Sequence, residues 1–164
     1  MRFLPVLLLL LLCASSVFAK EMPSTVEFKR LPTVALNKSD IKTLKDLQGK
    51  VVLVDFWAAW CEPCKAALPH YNSLYKKYRS QGLVVLGVNE DEEVAEREAF
   101  LKTVKLEFPL YHDQGRLVLE DFKVLALPTL YVFDKKLKPV VFYRGYDEKN
   151  SQALEKKIQE LLKQ

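Results

Sequence analysis

The stretch from Val51 to Cys64, VVLVDFWAAWCEPC, constrains this chain more than any other. Val51–Val54 is a continuous apolar run, the pattern of a central parallel strand covered on both faces. Pro63 suits the first turn of a helix, because the N–H it lacks is one that the first turn leaves unbonded anyway. Cys61 is therefore placed at or beside a helix N-terminus. There, free N–H groups and the positive end of the helix dipole favour a thiolate. A Cys-x-x-Cys pair that follows a strand and opens a helix is a pattern of thiol–disulfide exchange. Open α/β sheets gather their ligands at the carboxyl ends of strands, and Cys61 lies at such an end.

The 164 residues suffice for one domain with a real core. A formal charge of +4, with Lys and Arg scattered along the chain, gives no footprint for nucleic acid. Arg2 followed by the apolar Leu4–Leu12, then Ala14–Ser15–Ser16 and Val17–Phe18–Ala19, reads as an export leader cut after Ala19. The rival is an anchor over residues 3–18, but that run spans only about 22 Å as a helix, short of a bilayer core. Leu12 stands where a lipoprotein signal at Cys13 needs a small residue. Cleavage removes Cys13 and leaves two of the three cysteines, both in the motif. An exported domain, residues 20–164, with one such pair has no disulfide framework, so its thiols are expected to be used.

Residues 20–36 are expected to form an extended lead-in with a short edge strand at Val26–Phe28. Leu44 and Leu47, closed by Gly49, predict a helical turn. After the strand at 51–57, a helix to about Ser80 carries Ala67, Tyr71, Leu74 and Tyr78 on one face, with Pro69 expected to kink it. Leu83–Val88 reads as a second buried parallel strand and 89–91 as a loop. A helix over 92–104 is expected to point Val94, Leu101 and Val104 inward. Phe108–Tyr111 is a short extended piece and Gly115–Phe122 a short helix. Thr129–Phe133 and Pro139–Tyr143 read as a hairpin. Asp147 caps a final helix with Leu154, Ile158, Leu161 and Leu162 as its stripe. From residue 51 the expected order is β-α-β-α-β-β-α, a mixed sheet flanked by helices.

Four separated elements carry a family resemblance: Val54–Asp55–Phe56–Trp57–Ala58, then Trp60–Cys61 with Pro63–Cys64–Lys65, then Pro69, then Leu127–Pro128–Thr129. Together, over about residues 36–163, they resemble the thioredoxin superfamily. The leader, the lead-in and the Cys-Glu-Pro-Cys wording are similar to its TlpA/ResA branch of exported thiol–disulfide oxidoreductases. The resemblance implies an α/β thioredoxin-like fold with an N-terminal extension. It also implies reduction of selected protein disulfides without a cofactor, cytochrome c maturation or related assembly, and an extracytoplasmic, periplasmic setting. A membrane electron donor of the DsbD or CcdA type and a monomeric protein are expected.

Cys61 is expected to attack and Cys64, one turn on, to resolve; a three-residue offset on a helix brings the sulfurs within bonding reach. A structural disulfide or half a zinc site is the alternative, but His70 and His112 lie far from any second cysteine pair and a tetrahedral site needs more ligands. Both histidines read as surface residues without a role. Lys65 stands where haem attachment needs His. Asp55, among Val54, Phe56 and Trp57, should have a raised pKa if buried, fitting it to take the proton of Cys64, its family role; a polar pocket or edge is the alternative. Glu62 complements the helix dipole yet opposes a Cys61 thiolate, and the net sign stays open. ResA-like members often carry a glutamate three residues past the second cysteine; here that residue is Ala67. By resemblance Pro128 is cis and Leu127 offers its backbone to a substrate strand; Trp60, at the rim, and Glu62 and Pro63 are read as substrate-facing, and Trp57 as core. The competing functions are an oxidase or isomerase of the DsbA or DsbC kind, a copper carrier and a thiol peroxidase.

Overall fold

The computed structural model describes residues 26–164. The leader and its cleavage point lie outside the described residues. Six strands form one mixed sheet: β1 Val34–Ala35, β2 Val51–Trp57, β3 Leu83–Asn89, β4 Leu110–His112, β5 Thr129–Phe133 and β6 Pro139–Arg144. Their spatial order is β1-β4-β3-β2-β5-β6. β2 pairs parallel with β3 and β3 parallel with β4, while β5 runs antiparallel to both β2 and β6. The helices are α1 Glu62–Tyr78, α2 Val94–Leu101, α3 Leu117–Asp121 and α4 Glu148–Leu162. Single 3₁₀ turns occupy Leu44–Leu47 and Arg79–Gln81.

β2 is buried along its whole length because it is central and covered on both faces. Alternation sends Val51, Leu53 and Trp57 into a core shared with Ala67, Leu68, Tyr71 and Leu74 of α1 and Leu154, Ile158 and Leu161 of α4. Val52, Val54 and Phe56 point the other way, to Val118, Phe122 and Phe133. Asp55 has the parity of Leu53 and Trp57, so it lies on the α1 face. Asp147 caps α4 by accepting the Asn150 N–H at 2.8 Å.

Three expectations are corrected. Val26–Phe28 is not a strand. Phe28 instead packs its ring at 5.3 Å from those of Phe122 and Phe133, so the segment fills the outer core layer rather than pairing at an edge. The edge strand is β1, paired with β4, which makes the sheet six-stranded and puts β4 beside β3. The helix expected over 92–104 is the shorter α2. Its C-terminal turn sets the inward side, with Phe100 5.6 Å from the Trp57 ring, and its first turn is uncovered. Val94 is consequently 56% exposed, and the buried residue of this helix is Arg97.

Candidate active site

β2 runs straight into the redox pair. After Trp57 the chain turns through Ala58–Trp60, and the Cys61 N–H donates to Ala58 O at 3.2 Å. Cys61 has extended backbone and is the N-cap of α1. The N–H groups of Cys64 and Lys65 donate to Cys61 O at 3.0 and 3.2 Å, which fixes the first turn. Cys61 and Cys64 are joined as a disulfide with their Cα atoms 5.3 Å apart. Cys61 retains only 5% exposure and Cys64 none. Both residues are therefore buried in the oxidised form, Cys61 slightly less so than Cys64. Pro63 lies within the first turn of α1. Glu62 is turned outward, its Oε1 accepting from Lys65 Nζ at 2.6 Å.

Asp55 is fully buried, and neither of its carboxylate oxygens has a partner among the described residues. Burial pushes its pKa from 3.8 to about 8. The polar-pocket alternative therefore fails. Its register partners are Gly87 and Leu130, so no cation is offered from either flanking strand. Tyr71 of α1 faces it: burial, then the charge of Asp55, pushes the tyrosine hydroxyl well above its ordinary value.

The Leu127–Pro128 bond is cis. Pro128 is buried, and its carbonyl accepts the Gly145 N–H at 2.8 Å, tying the turn to the strand end of β6. Leu127 is half-buried and packs against both cores. Trp60 stands 60% exposed beside Cys61, whereas Trp57 is fully buried. His70 is not a simple surface residue. Its ring lies 5.8 Å from those of Tyr71 and Tyr146, and Ser151 Oγ is 3.0 Å from Nδ1. Desolvation lowers its pKa.

One cluster went unread in the sequence. The loop after β3 carries Glu90 and Asp91, both buried. Asp91 accepts the Ala59 N–H on both carboxylate oxygens at 2.9 Å and the Asn89 side-chain amide at 2.6 Å. Glu90 has no side-chain partner among the described residues, and burial, then Asp113, pushes its pKa to about 8. The signal was present: three polar residues directly at the carboxyl end of a buried strand.

The AhpC/TSA family profile matches residues 28–140. The thiol–disulfide oxidoreductase ResA of Bacillus thuringiensis subsp. konkukian is 30% identical over 165 residues, covering 95% of this chain and 94% of its own. ResA of Bacillus subtilis is 35% identical over 147 residues, covering 85% and 82%. Among solved structures, a protein assigned as the thiol:disulfide interchange protein DsbE of Chlorobium tepidum superimposes with a TM-score of 0.72 at 32% identity, covering 81% of this chain and 95% of that one. A thioredoxin-like sheet, a Cys-x-x-Cys pair at a helix N-terminus and these relatives agree: the chain belongs to the AhpC/TSA family of thioredoxin-like proteins, among its ResA-type thiol–disulfide oxidoreductases.

Proposed function

We propose that this protein is an exported reductant of selected protein disulfides, with Cys61 attacking, Cys64 resolving and Asp55 handling the proton. The observation that carries this reading is the joined Cys61–Cys64 pair at the N-terminus of α1, on the sheet face that holds Asp55, which has no partner among the described residues. In the reduced protein the Cys61 thiolate attacks one sulfur of the partner disulfide, and the other sulfur leaves as a thiolate. Cys64 then gives its proton to Asp55 and attacks Cys61 Sγ. That step restores the Cys61–Cys64 disulfide and releases the second partner sulfur as a thiolate, which takes up a proton. Two electrons pass from the dithiol to the partner. With its pKa pushed up to about 8, Asp55 once ionised is a stronger base than an ordinary carboxylate and suited to take a thiol proton. Trp60, Glu62, Pro63, Leu127 and Pro128 form the edge on which the partner lies.

Residues 1–19 are read as the leader and 20–164 as the exported domain, acting as a monomer outside the cytoplasm. Among the described residues no helix is long and apolar enough to cross a membrane. An extracytoplasmic reductant has no reducing pool to draw on, so a membrane donor of the DsbD or CcdA type is required. Apocytochrome c is the foremost substrate by resemblance to the branch. Cys64→Ser tests the assignment: it keeps the attacking thiol and removes the resolving one. The partner is expected to stay covalently attached to Cys61, released only by added dithiol. Wild-type activity with no adduct in the variant overturns the attacker–resolver assignment. A measured potential near that of an oxidant such as DsbA, about −120 mV, overturns the direction of electron flow.

A further inference from the structure

The last rung of the β2–β3 ladder joins Trp57 to Asn89. Past that rung the two strand ends remain stitched together. Glu90 N–H donates to Trp57 O at 2.9 Å. One step further, the Asp91 carboxylate takes the place of a backbone acceptor and receives the Ala59 N–H at 2.9 Å on each oxygen. Asn89 steadies that carboxylate through its own amide at 2.6 Å. Asp91 is 1% exposed, so water competes little for these bonds. Ala59 stands two residues before Cys61, and the Ala58 carbonyl beside it receives the Cys61 N–H.

We propose that Asp91 is a positioning residue of the redox site: by clamping the Ala59 amide it holds Cys61 at the mouth of α1, where the attacking thiolate is stabilised. The proposal rests on Cys61 being the attacker. It makes a prediction whose sign differs from that of a bare nearby charge. A carboxylate close to a thiolate disfavours it, so deleting the charge alone lowers the Cys61 pKa. Losing the clamp lets the Ala58–Trp60 turn loosen, withdraws Cys61 from the helix N-terminus and raises the pKa. Asp91→Ala removes both the charge and the acceptors. Asp91→Asn removes the charge but keeps one oxygen for the Ala59 N–H. The other charges in and around the site, Glu62 and Lys65 on α1, Asp55 on β2, Glu90 and Glu92 in the loop, Glu96 on α2, and Asp113 and Arg116 after β4, are the same in both variants.

The test is iodoacetamide alkylation of the fully reduced, full-length protein against pH, with the alkylated residue identified by mass spectrometry. In Asp91→Ala the midpoint for Cys61 is expected to rise by about one pH unit, slowing alkylation about tenfold on the acid limb. In Asp91→Asn it stays at or slightly below the wild-type value. A midpoint in Asp91→Ala that is unchanged or lower overturns the proposal, as does an equal rise in both variants. Should Asp91→Ala not fold, amide hydrogen exchange at Ala59 decides: slow in wild type and in Asp91→Asn supports the clamp, and fast exchange in either overturns it. If Cys64 rather than Cys61 is alkylated in wild type, it is the attacker assignment that falls, a distinguishable result.

Discussion

At the scale of single residues, Asp55 is defined by its unfavourable place. Its carboxyl is surrounded by the α1-side core, pairs in register with Gly87 and Leu130, and finds no hydrogen-bond donor among the described residues. A carboxylate there is cut off from bulk water and meets no counter-charge among the described residues, so the neutral form persists to about pH 8. Asp55→Asn keeps the shape and removes the titration. The exchange rate of the wild type is expected to climb with pH through a limb near 8 as Asp55 ionises and becomes able to accept the Cys64 proton. The variant should lose that limb and run about a hundredfold slower near neutrality, the ordinary scale of one general base. Stopped-flow Trp fluorescence of the reduced protein against a protein disulfide measures it. An unchanged pH–rate profile removes Asp55 from the mechanism. This residue was legible in the sequence because a charge inside VVLVDFW has few comfortable explanations. Asp91 was not, because a polar residue in a loop has many, and only the three-dimensional return of β3 beside β2 brings it to Ala59.

Among the secondary-structure elements, the packing of β3 against β4 depends on an absent side chain. A Cβ placed on Gly87 meets Leu110 Cδ2 at 2.7 Å, Phe108 Cε2 at 3.0 Å and the Trp57 indole nitrogen at 3.2 Å. Leu110 and Phe108 are buried, so they have little room to give way. Gly87→Ala is therefore expected to destabilise the protein by about 1–3 kcal/mol through overpacking. Urea unfolding followed by Trp fluorescence checks it, and equal stability would mean that β4 can slide outward freely. The strands and helices that bury continuous or periodic faces were readable: β2, β3, α1, the β5–β6 hairpin and α4. The errors came where an element is short and its partner distant. β1 has two residues and owes its existence to β4. α2 has eight, and its inward side is fixed by Trp57, some forty positions earlier, rather than by its own apolar period. Edge strands and single-turn faces carry little local signal because tertiary contacts decide them.

Over the whole molecule, two populations of carboxyl groups pull stability in opposite directions with pH. Asp46, Glu107, Glu155 and Glu160 are held below their ordinary values, by backbone N–H groups at Lys42 and Thr43, by Lys76, by Lys77 and by Lys157 respectively. Their contribution is present above the unfolded carboxyl range and is lost as pH falls through their folded values. Asp55 and Glu90 behave oppositely. Both are raised to about 8 by burial, so the folded state binds their protons where the unfolded chain has released them. That contribution is complete below about pH 4 and drains away up to about pH 8. A rise from 3.8 to about 8, at about 1.4 kcal/mol per pH unit, makes the ceiling for Asp55 on the order of 6 kcal/mol. Together Asp55 and Glu90 make the oxidised protein lose stability as pH rises from about 4 to about 8. Asp55→Asn should flatten that decline, gaining several-fold more stability at pH 9 than at pH 5, and adding Glu90→Gln should flatten it further. Thermal unfolding of the oxidised forms across pH 4–9 reads this directly. Parallel curves for wild type and Asp55→Asn would mean that Asp55 keeps an ordinary carboxylate pKa in the folded protein, and both its burial cost and its proposed role as the base for Cys64 would then have to be abandoned together.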